Sequence, residues 1–449
     1  MDRIRLLPLQ AAVDVLLPAT IVLFAFGSSS VHGLTRIGGP ARWIALLALA
    51  GAAVLQAIAH GPRLRPLPVA WLIAAVLVVV GVESALWSVD PRLTVSRVFT
   101  VGVLFVAAAA LALGSRDARV AAARALKGVL TGIALVALAS LVVLAVRRGD
   151  AVLSATTGAG WRFRGIGQSP NTVPMLLSIG MPLAVWRSLH GPPRRRWLGV
   201  ALVLLFAGEI AFSGSRGAVI AGFGGAVATA LALGRSVGSK LAVAGGLCAL
   251  ALVCVTLAKL PSPAPVTDNP ASQESPAAAP RGIDAEHVVR LEDEIGFPST
   301  RSYIPPAKRT LFGASGRAQA WDGALHQGDE RPVSGYGFGT EDSVFADRFY
   351  SFEGNFVENS YLGLFLQLGA AGVALLVALL ASLAWSAARL VLRFPSGGIG
   401  PAAGAIGVLI AAVLIGGTQS GVLSVGNIAA ASIWICVLML PVLARENLP

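Results

Sequence analysis

The sequence has few charged residues and few cysteines, and each shortage narrows the class of protein. Charged residues make up only 13% of the 449 positions, whereas 55% are hydrophobic, far above the apolar share of an ordinary soluble domain. The three cysteines, Cys248, Cys254 and Cys436, all stand within apolar runs, so the sequence has no disulfide framework and no metal-type spacing. These shortages exclude an ordinary soluble domain and a disulfide scaffold.

Apolar runs long enough to span a membrane recur along most of the chain. A helix needs roughly 20 apolar residues to cross a hydrocarbon core about 30 Å thick, and hydropathy predicts about twelve such spans. They lie near residues 10–27, 42–59, 67–87, 96–114, 124–146, 172–189, 197–213, 217–234, 240–259, 360–388, 398–417 and 421–444. The amino end lacks a clean small-x-small cleavage site, so we interpret it as a retained first helix. The predicted fold is an all-α polytopic membrane protein.

Basic residues predict the orientation of these spans. The net charge is +12, and the basic clusters fall in alternate loops, as expected if both termini are cytoplasmic. Since this rule explains the charge, binding of nucleic acid is not expected. The predicted domains are helices one to nine over 1–259, a large external (periplasmic) loop over 260–357 and helices ten to twelve over 358–449. Within the loop, 260–312 is rich in Pro, Ala and Ser and is expected to be largely disordered, whereas 313–357 is expected to fold.

Arginines on the external side are the informative charges, because the positive-inside rule does not explain them. They include Arg147, Arg148, Arg162, Arg164, Arg216 and Arg317. Arg216 stands between two apolar spans with almost no loop around it, so it must lie near the membrane surface or in a cavity. A guanidinium binds two phosphate oxygens at once, although a single Arg can equally be a snorkelling residue at a helix end.

Carboxylates within the spans lie near their ends, and none is clearly at mid-membrane. Glu83 and Glu209 stand near external ends, and Asp14 stands near an internal end. A proton- or sodium-coupled transporter more often places ionisable groups at the bilayer midplane. The pattern therefore favours an external pocket at membrane level, with cations for an anion and a carboxylate as a base. Such a pocket fits a lipid with a phosphate or pyrophosphate head group.

A series of short motifs runs along most of the chain. They are ALWSVDPRLTVSR (Ala85–Arg97), RFRGIGQSPNTVP (Arg162–Pro174), SGSRGA (Ser213–Ala218), SGRAQAW (Ser315–Trp321), GYGFGT (Gly335–Thr340) and ENSYLGLFLQLGAAG (Glu358–Gly372). In this order they resemble the bacterial O-antigen ligase and O-antigen polymerase superfamily of membrane glycosyltransferases, which includes exopolysaccharide polymerases. Each motif is weak alone, but the set, with about twelve spans and one large loop, is fairly specific.

The resemblance implies transfer of a glycan from undecaprenyl pyrophosphate to an acceptor hydroxyl, on the outer face of the cytoplasmic (inner) membrane. In ligases the acceptor is lipid A–core, and in polymerases it is another lipid-linked repeat unit. The resemblance implies no nucleotide sugar, metal or other cofactor. It assigns Arg216 and Arg317 to the pyrophosphate and Arg164 to another basic position near the site. Fixed Arg donors can stabilise the charge of a departing pyrophosphate.

Glu358 is the main departure from the family pattern, which typically has His before Asn-Ser. A carboxylate can also accept a proton, with a pKa that burial raises and neighbouring Arg lowers, so Glu358 is the candidate base. It can instead be a solvated carboxylate or a salt-bridge partner of Arg216 or Arg317. Asn359 belongs either to the site or to the cap of the helix that follows.

Other residues of the predicted site are less specific. His326, in the same external loop, is the rival base. Trp321, Tyr336 and Arg162 are possible glycan contacts, although loop packing is the favoured role for the two aromatic residues. Glu358 in place of His favours a polymerase over an O-antigen ligase. An exporter or flippase of lipid-linked glycans is the alternative from a different class.

Overall fold

The computed structural model describes residues 2–61, 67–153, 162–234, 236–257, 317–345, 356–394, 399–424 and 426–445. The described residues are almost entirely helical, with two strands of two residues each, which confirms the predicted all-α class. The segment 260–312, predicted to be disordered, lies outside the described residues, as does part of 313–357. The division into 1–259, 260–357 and 358–449 stays a prediction.

The helices are numbered in chain order. They are α1 Asp2–Gly27, α2 His32–Ala59, α3 Val69–Glu83, α4 Pro91–Leu113, α5 Ala118–Val146, α6 Arg148–Ala151, α7 Thr172–His190, α8 Arg196–Ser213, α9 Arg216–Leu233, α10 Val237–Leu257, α11 Arg317–Asp329, α12 Glu341–Val344, α13 Ser360–Arg393, α14 Pro401–Gly416, α15 Ala430–Val437 and α16 Leu440–Leu443. Short 3-10 helices at Ser84–Leu86 and Pro193–Arg195 join neighbouring elements. The strands β1 (Val152–Leu153) and β2 (Arg162–Phe163) pair antiparallel, with Val152 opposite Phe163 and Leu153 opposite Arg162.

Ten of the described helical segments are long and apolar enough to cross a membrane, and they overlap the first ten predicted spans, although the second begins at His32 and not near residue 42. Two shorter apolar segments, Pro401–Gly416 and Ala430–Leu443, fall within the last two. The helix of the last predicted span, α15, begins at Ala430, later than the predicted start at 421. The residues before it form turns, since Gly426 has a φ of 82° and the Asn427 side chain accepts the backbone N–H of Ala429.

Small residues bring α9 and α14 close together. A Cβ atom on Gly225 would lie 2.5 Å from the carbonyl oxygen of Gly407, and one on Gly407 would lie 2.6 Å from that of Gly225. Small residues let helix backbones approach closely inside a bilayer, where apolar burial does not drive association. At the end of the same interface, a Cβ on Gly217 would lie 2.4 Å from Oγ1 of Thr418. The packing therefore sets Arg216 beside the residues that follow α14.

The long helix α13 is interrupted at Gly369, which has φ 60° and ψ −158°. This backbone conformation is accessible mainly to glycine. A chain segment before α12 docks at the interruption, where the N–H of Ala370 donates to the carbonyl of Pro332 at 2.7 Å. The N–H groups of Tyr336 and Gly337 donate to α13 carbonyls at 2.9 Å each. The Gly-rich turn predicted from the sequence is thus hydrogen-bonded to the helix that follows Glu358.

Candidate active site

The turn between α8 and α9 places Arg216 at one end of the bundle. Gly214 ends α8 with a φ of 64°, the left-handed conformation that commonly closes a helix. Ser215 follows in extended conformation, and α9 begins at Arg216. Two spans thus meet with only two residues between them. The guanidinium at the start of α9 therefore lies at the border of the helical bundle, as the sequence predicts.

Arg162 fixes this turn from the side. Its Nε donates to the carbonyl of Ser213 at 2.7 Å, and its Nη2 donates to Oδ1 of Asn171 at 3.3 Å. Arg162 lies on β2, which pairs with β1, and the hydropathy pattern does not predict these two short strands. Arg164 points to another part of the chain, where its Nε donates to the carbonyl of Asp150 at 2.7 Å. A glycan contact for Arg162 and a site role for Arg164 stay predictions.

Glu358 forms an ion pair with Arg317. The Nη2 of Arg317 donates to Oε2 of Glu358 at 2.9 Å, and the two side chains are 20% and 28% exposed. Gln419 also donates to the Glu358 carboxylate. Burial raises the pKa of Glu358 above its ordinary value, and the Arg317 charge only partly opposes this shift. Of the roles that the sequence left open, a salt bridge with Arg317 is the one that the contacts show.

The backbone at Glu358 is strained. Its φ is 55°, in the left-handed region that residues with a Cβ seldom occupy. Such conformations cost on the order of 1–3 kcal/mol and cluster at functional sites. The conformation persists because both neighbours are held: the carbonyl of Val357 accepts Nε1 of Trp321 at 3.1 Å, and Asn359 caps α13.

Asn359 is the helix cap that the sequence suggested. Its Oδ1 accepts the N–H groups of Tyr361 and Leu362 at 3.0 and 3.2 Å, which would otherwise be unpaired in the first turn. Its Nδ2 donates to the carbonyl of Gly417 at 3.3 Å. Asn359 therefore joins the start of α13 to the residues after α14. A catalytic role for it stays a prediction.

The residues after α14 form a polar segment that the sequence analysis did not assign to the site. Gln419 donates to Glu358, and its carbonyl accepts Oγ of Ser360 at 2.7 Å. Oγ of Ser420 accepts the N–H of Asn359 at 3.3 Å. The available signal was the run GGTQSG (Gly416–Gly421), which interrupts two apolar stretches.

Glu341 is the second carboxylate of the site, and sequence reasoning missed it too. It is only 4% exposed, and burial raises its pKa to about 7. Its Oε1 accepts the N–H of Val357 at 2.9 Å and Oγ of Ser420 at 2.8 Å, and its Oε2 accepts Nε2 of Gln367 at 3.3 Å. Glu341 thus connects α12, α13 and the polar segment. It directly follows the Gly-rich motif, but sequence alone does not show its burial.

Arg216 and Arg317 form the cationic part of the site. Arg317 lies close enough to Arg216 for the two charges to interact. Within the described part of the chain, Nε of Arg317 is buried and has no hydrogen-bond partner. A buried donor without a partner is costly, so a ligand with acceptor oxygens would satisfy it. Arg216 and Arg317 thus place two cationic side chains beside the Glu358 carboxylate.

Of the other predicted site residues, Tyr336 and Trp321 pack within the loop, whereas His326 is exposed. The OH of Tyr336 donates to the carbonyl of Gln327 at 3.1 Å, and Trp321 packs against the apolar cluster that includes Val357. His326 is 70% exposed, and its Nδ1 lies 3.0 Å from the carbonyl of Asp322 in the same helix. Glycan contacts by the two aromatic residues stay predictions, and His326 remains the rival base. Among the described residues, no group of three or more His, Cys, Asp or Glu is placed to hold a metal ion.

Comparison with known families gives one match. Residues 200–377 match the family model described as O-antigen ligase, which confirms the resemblance to the ligase and polymerase superfamily. The matched range includes Arg216, Arg317, Glu341 and Glu358. The motifs at Ala85–Arg97 and Arg162–Pro174 lie before the matched range and rest on the sequence resemblance alone. No curated protein matches the chain.

Proposed function

We propose, on the premise that residues 200–377 carry the O-antigen ligase family signature, that this chain is a membrane glycosyltransferase using undecaprenyl-pyrophosphate-linked glycan. The family match indicates glycosyltransferase-type activity; the donor and the acceptor are our proposal. The observation that carries it is the pairing of Arg317 with Glu358 at 2.9 Å, with Arg216 in electrostatic range. These residues supply a cationic site and a potential base side by side.

Arg216 and Arg317 hold the pyrophosphate of the donor. Guanidinium groups bond phosphate oxygens in pairs, and donors fixed before the reaction stabilise negative charge as it develops. The unpartnered Nε of Arg317 is a donor of this kind. Holding Arg317 against Glu358 keeps its guanidinium in place before the donor arrives.

Glu358 takes the proton of the acceptor hydroxyl. As the acceptor oxygen bonds to the anomeric carbon, its proton passes to the carboxylate, and the bond from that carbon to the pyrophosphate oxygen breaks. The electron pair leaves with the pyrophosphate, and direct attack of this kind inverts the anomeric centre. A base works best with a pKa near the working pH, and burial shifts Glu358 in that direction.

The acceptor in this proposal is a second lipid-linked repeat unit, so that the product is a surface polysaccharide or exopolysaccharide. Glu358 in place of the usual His supports the polymerase over the ligase, whose acceptor is lipid A–core. The site then faces the periplasm at the cytoplasmic membrane, with both termini in the cytoplasm. The distribution of basic residues between the loops supports this orientation.

Analysis of glycolipids in a deletion strain tests the proposal. A polymerase leaves single lipid-linked repeat units, whereas a ligase leaves long lipid-linked chains beside unmodified lipid A–core. Restoring the gene as Arg216→Ala or Arg317→Ala should leave the same intermediate, while the exposed Arg195→Ala control restores product. Wild-type product in both variants would refute the pyrophosphate site. Donor that stays on the cytoplasmic face would indicate an exporter or flippase instead.

A further inference from the structure

A cavity of about 290 Å³ lies between α1, α2, α4 and α5, away from the Glu358 site. Asp14 of α1 lines it, 13 residues or about 20 Å before the end of this helix. The end of α1 leads to Ser30, whose N–H donates to the carbonyl of Ile166 near the Arg162 turn. The cavity therefore occupies the opposite end of the bundle.

Gln56 is a buried polar group that faces this cavity. The residue is only 4% exposed and lines the cavity, beside Gly114, where a Cβ would lie 3.2 Å from Oε1 of Gln56. Among the described residues its side-chain amide makes no hydrogen bond with another residue, and it is open to the cavity. An amide that lines a polar cavity can donate to water or to a ligand that enters the cavity.

Two cations stand on the α5 side of the cavity. Arg124 and Lys127 both line it, and as residues i and i+3 they share one face of the helix. Neither forms an ion pair or a side-chain hydrogen bond with any described residue. Asp14 is the only carboxylate among the lining residues, so the charged groups of the cavity sum to one positive charge. This arrangement fits an anion.

Depth and polarity point to a lipid as the source of that anion. Arg124 and Lys127 are six and nine residues after the start of α5 at Ala118, or about 9 and 14 Å along the helix. They stand at the start of the span predicted over 124–146, at the membrane border where the head groups of the adjoining leaflet lie. Val13, Leu17 and Leu111 give the cavity apolar walls, which suit the adjoining glycerol and acyl atoms of a lipid.

We propose that this cavity binds the phosphate head group of an anionic membrane lipid from the adjoining leaflet. Arg124 and Lys127 bond the phosphate oxygens, and Gln56 donates to the ester or hydroxyl oxygens of the head group. The site is separate from the transfer site and does not depend on the proposed reaction.

Thermal unfolding of the purified full-length chain in a neutral detergent tests the site. Phosphatidylglycerol should raise Tm in a saturable manner, because a ligand that binds the folded state stabilises it. Phosphatidylcholine and inorganic phosphate should have little effect. The Arg124→Gln/Lys127→Gln double variant should bind phosphatidylglycerol at least about tenfold more weakly, since each loses a charged hydrogen bond.

The Arg194→Gln/Arg195→Gln double variant is the matched control, because it removes the same charge from exposed residues at the same end of the bundle. It should keep the wild-type affinity. Gln56→Met should weaken phosphatidylglycerol binding although it leaves the charge unchanged. A surface that attracts the lipid by charge alone would bind it equally well in this variant. Unchanged binding in the Arg124/Lys127 variant, equal loss in the control, or an equal response to inorganic phosphate would overturn the lipid site.

Discussion

Replacing Glu341 with Gln should remove a pH-dependent loss of stability from the segment that holds Glu358. Burial raises the pKa of Glu341 from 4.5 to about 7, so the folded chain binds this proton more tightly than the unfolded chain. Its contribution to stability is therefore fully present below pH 4.5, falls as pH rises toward 7 and is lost above that. The shift corresponds to about 3 kcal/mol at 1.36 kcal/mol per pKa unit.

The variant should be the less stable protein at low pH and the more stable one at high pH. The side-chain oxygen of the introduced glutamine can still accept hydrogen bonds from the N–H of Val357 and from Oγ of Ser420. Its NH₂ group, however, would face Nε2 of Gln367, which lies 3.3 Å from the Glu341 carboxylate in the wild type. That pair of donors should cost about 1 kcal/mol. Above pH 8 the variant avoids the buried charge, so it should gain about 2 kcal/mol over the wild type.

The assay is the difference in Tm between the variant and the wild type, measured from pH 5 to pH 8.5. Because the two proteins share their other titratable groups, the effects of those groups on Tm cancel in the difference. Arg195→Gln removes an exposed charge that does not titrate in this range, and it should give a small difference that does not change with pH. A Glu341→Gln difference that is equally flat would refute the reasoning, because it would show that Glu341 does not titrate in this range.

Three further substitutions test the contacts around Glu358. Gly363→Ala should lower both Tm and transfer activity, because the added Cβ would lie 2.5 Å from Oε2 of Glu341. Gly245→Ala is the control: Gly245 has open space around it, so this change should leave both quantities unchanged or raise Tm. Asn359→Ala should lose about 1 kcal/mol of stability with the helix cap, and Asn359→Asp should keep it; equal Tm values for the two would contradict the cap. Trp321→Phe should lose about 1 kcal/mol with the Val357 hydrogen bond, measurable as a lower Tm at unchanged helical circular dichroism.

The spans were predictable because each depends on local composition. A run of about 20 apolar residues must form a helix in a bilayer, and the described helices follow the predicted runs closely. The two larger differences are the start of α2, which begins at His32 and not near residue 42, and the start of the last span, where Gly426 and Asn427 form a turn within an otherwise apolar stretch. Because the residues on both sides of the turn are apolar, the mean hydropathy of the stretch stays high and does not reveal the turn.

The site was predictable only where a motif carries it. Arg216, Arg317 and Glu358 stand in motifs that resemble the superfamily, and the structure brings Arg317 to Glu358 and Arg216 near them. Glu341 and Gln419 were missed because their roles depend on burial and on contacts between distant parts of the chain. Gln419 is 61 residues beyond the Glu358 to which it donates, and local sequence does not show that contact.

The measurement that tests the central claim most directly is glycan transfer by purified Glu358→Gln protein, with binding of the lipid-pyrophosphate donor measured in parallel. The account predicts donor binding within a few-fold of the wild type, since Arg216 and Arg317 remain. It predicts a transfer rate about 10²- to 10⁴-fold lower, the usual contribution of a general base. Transfer at the wild-type rate would contradict the assignment of Glu358 as the base.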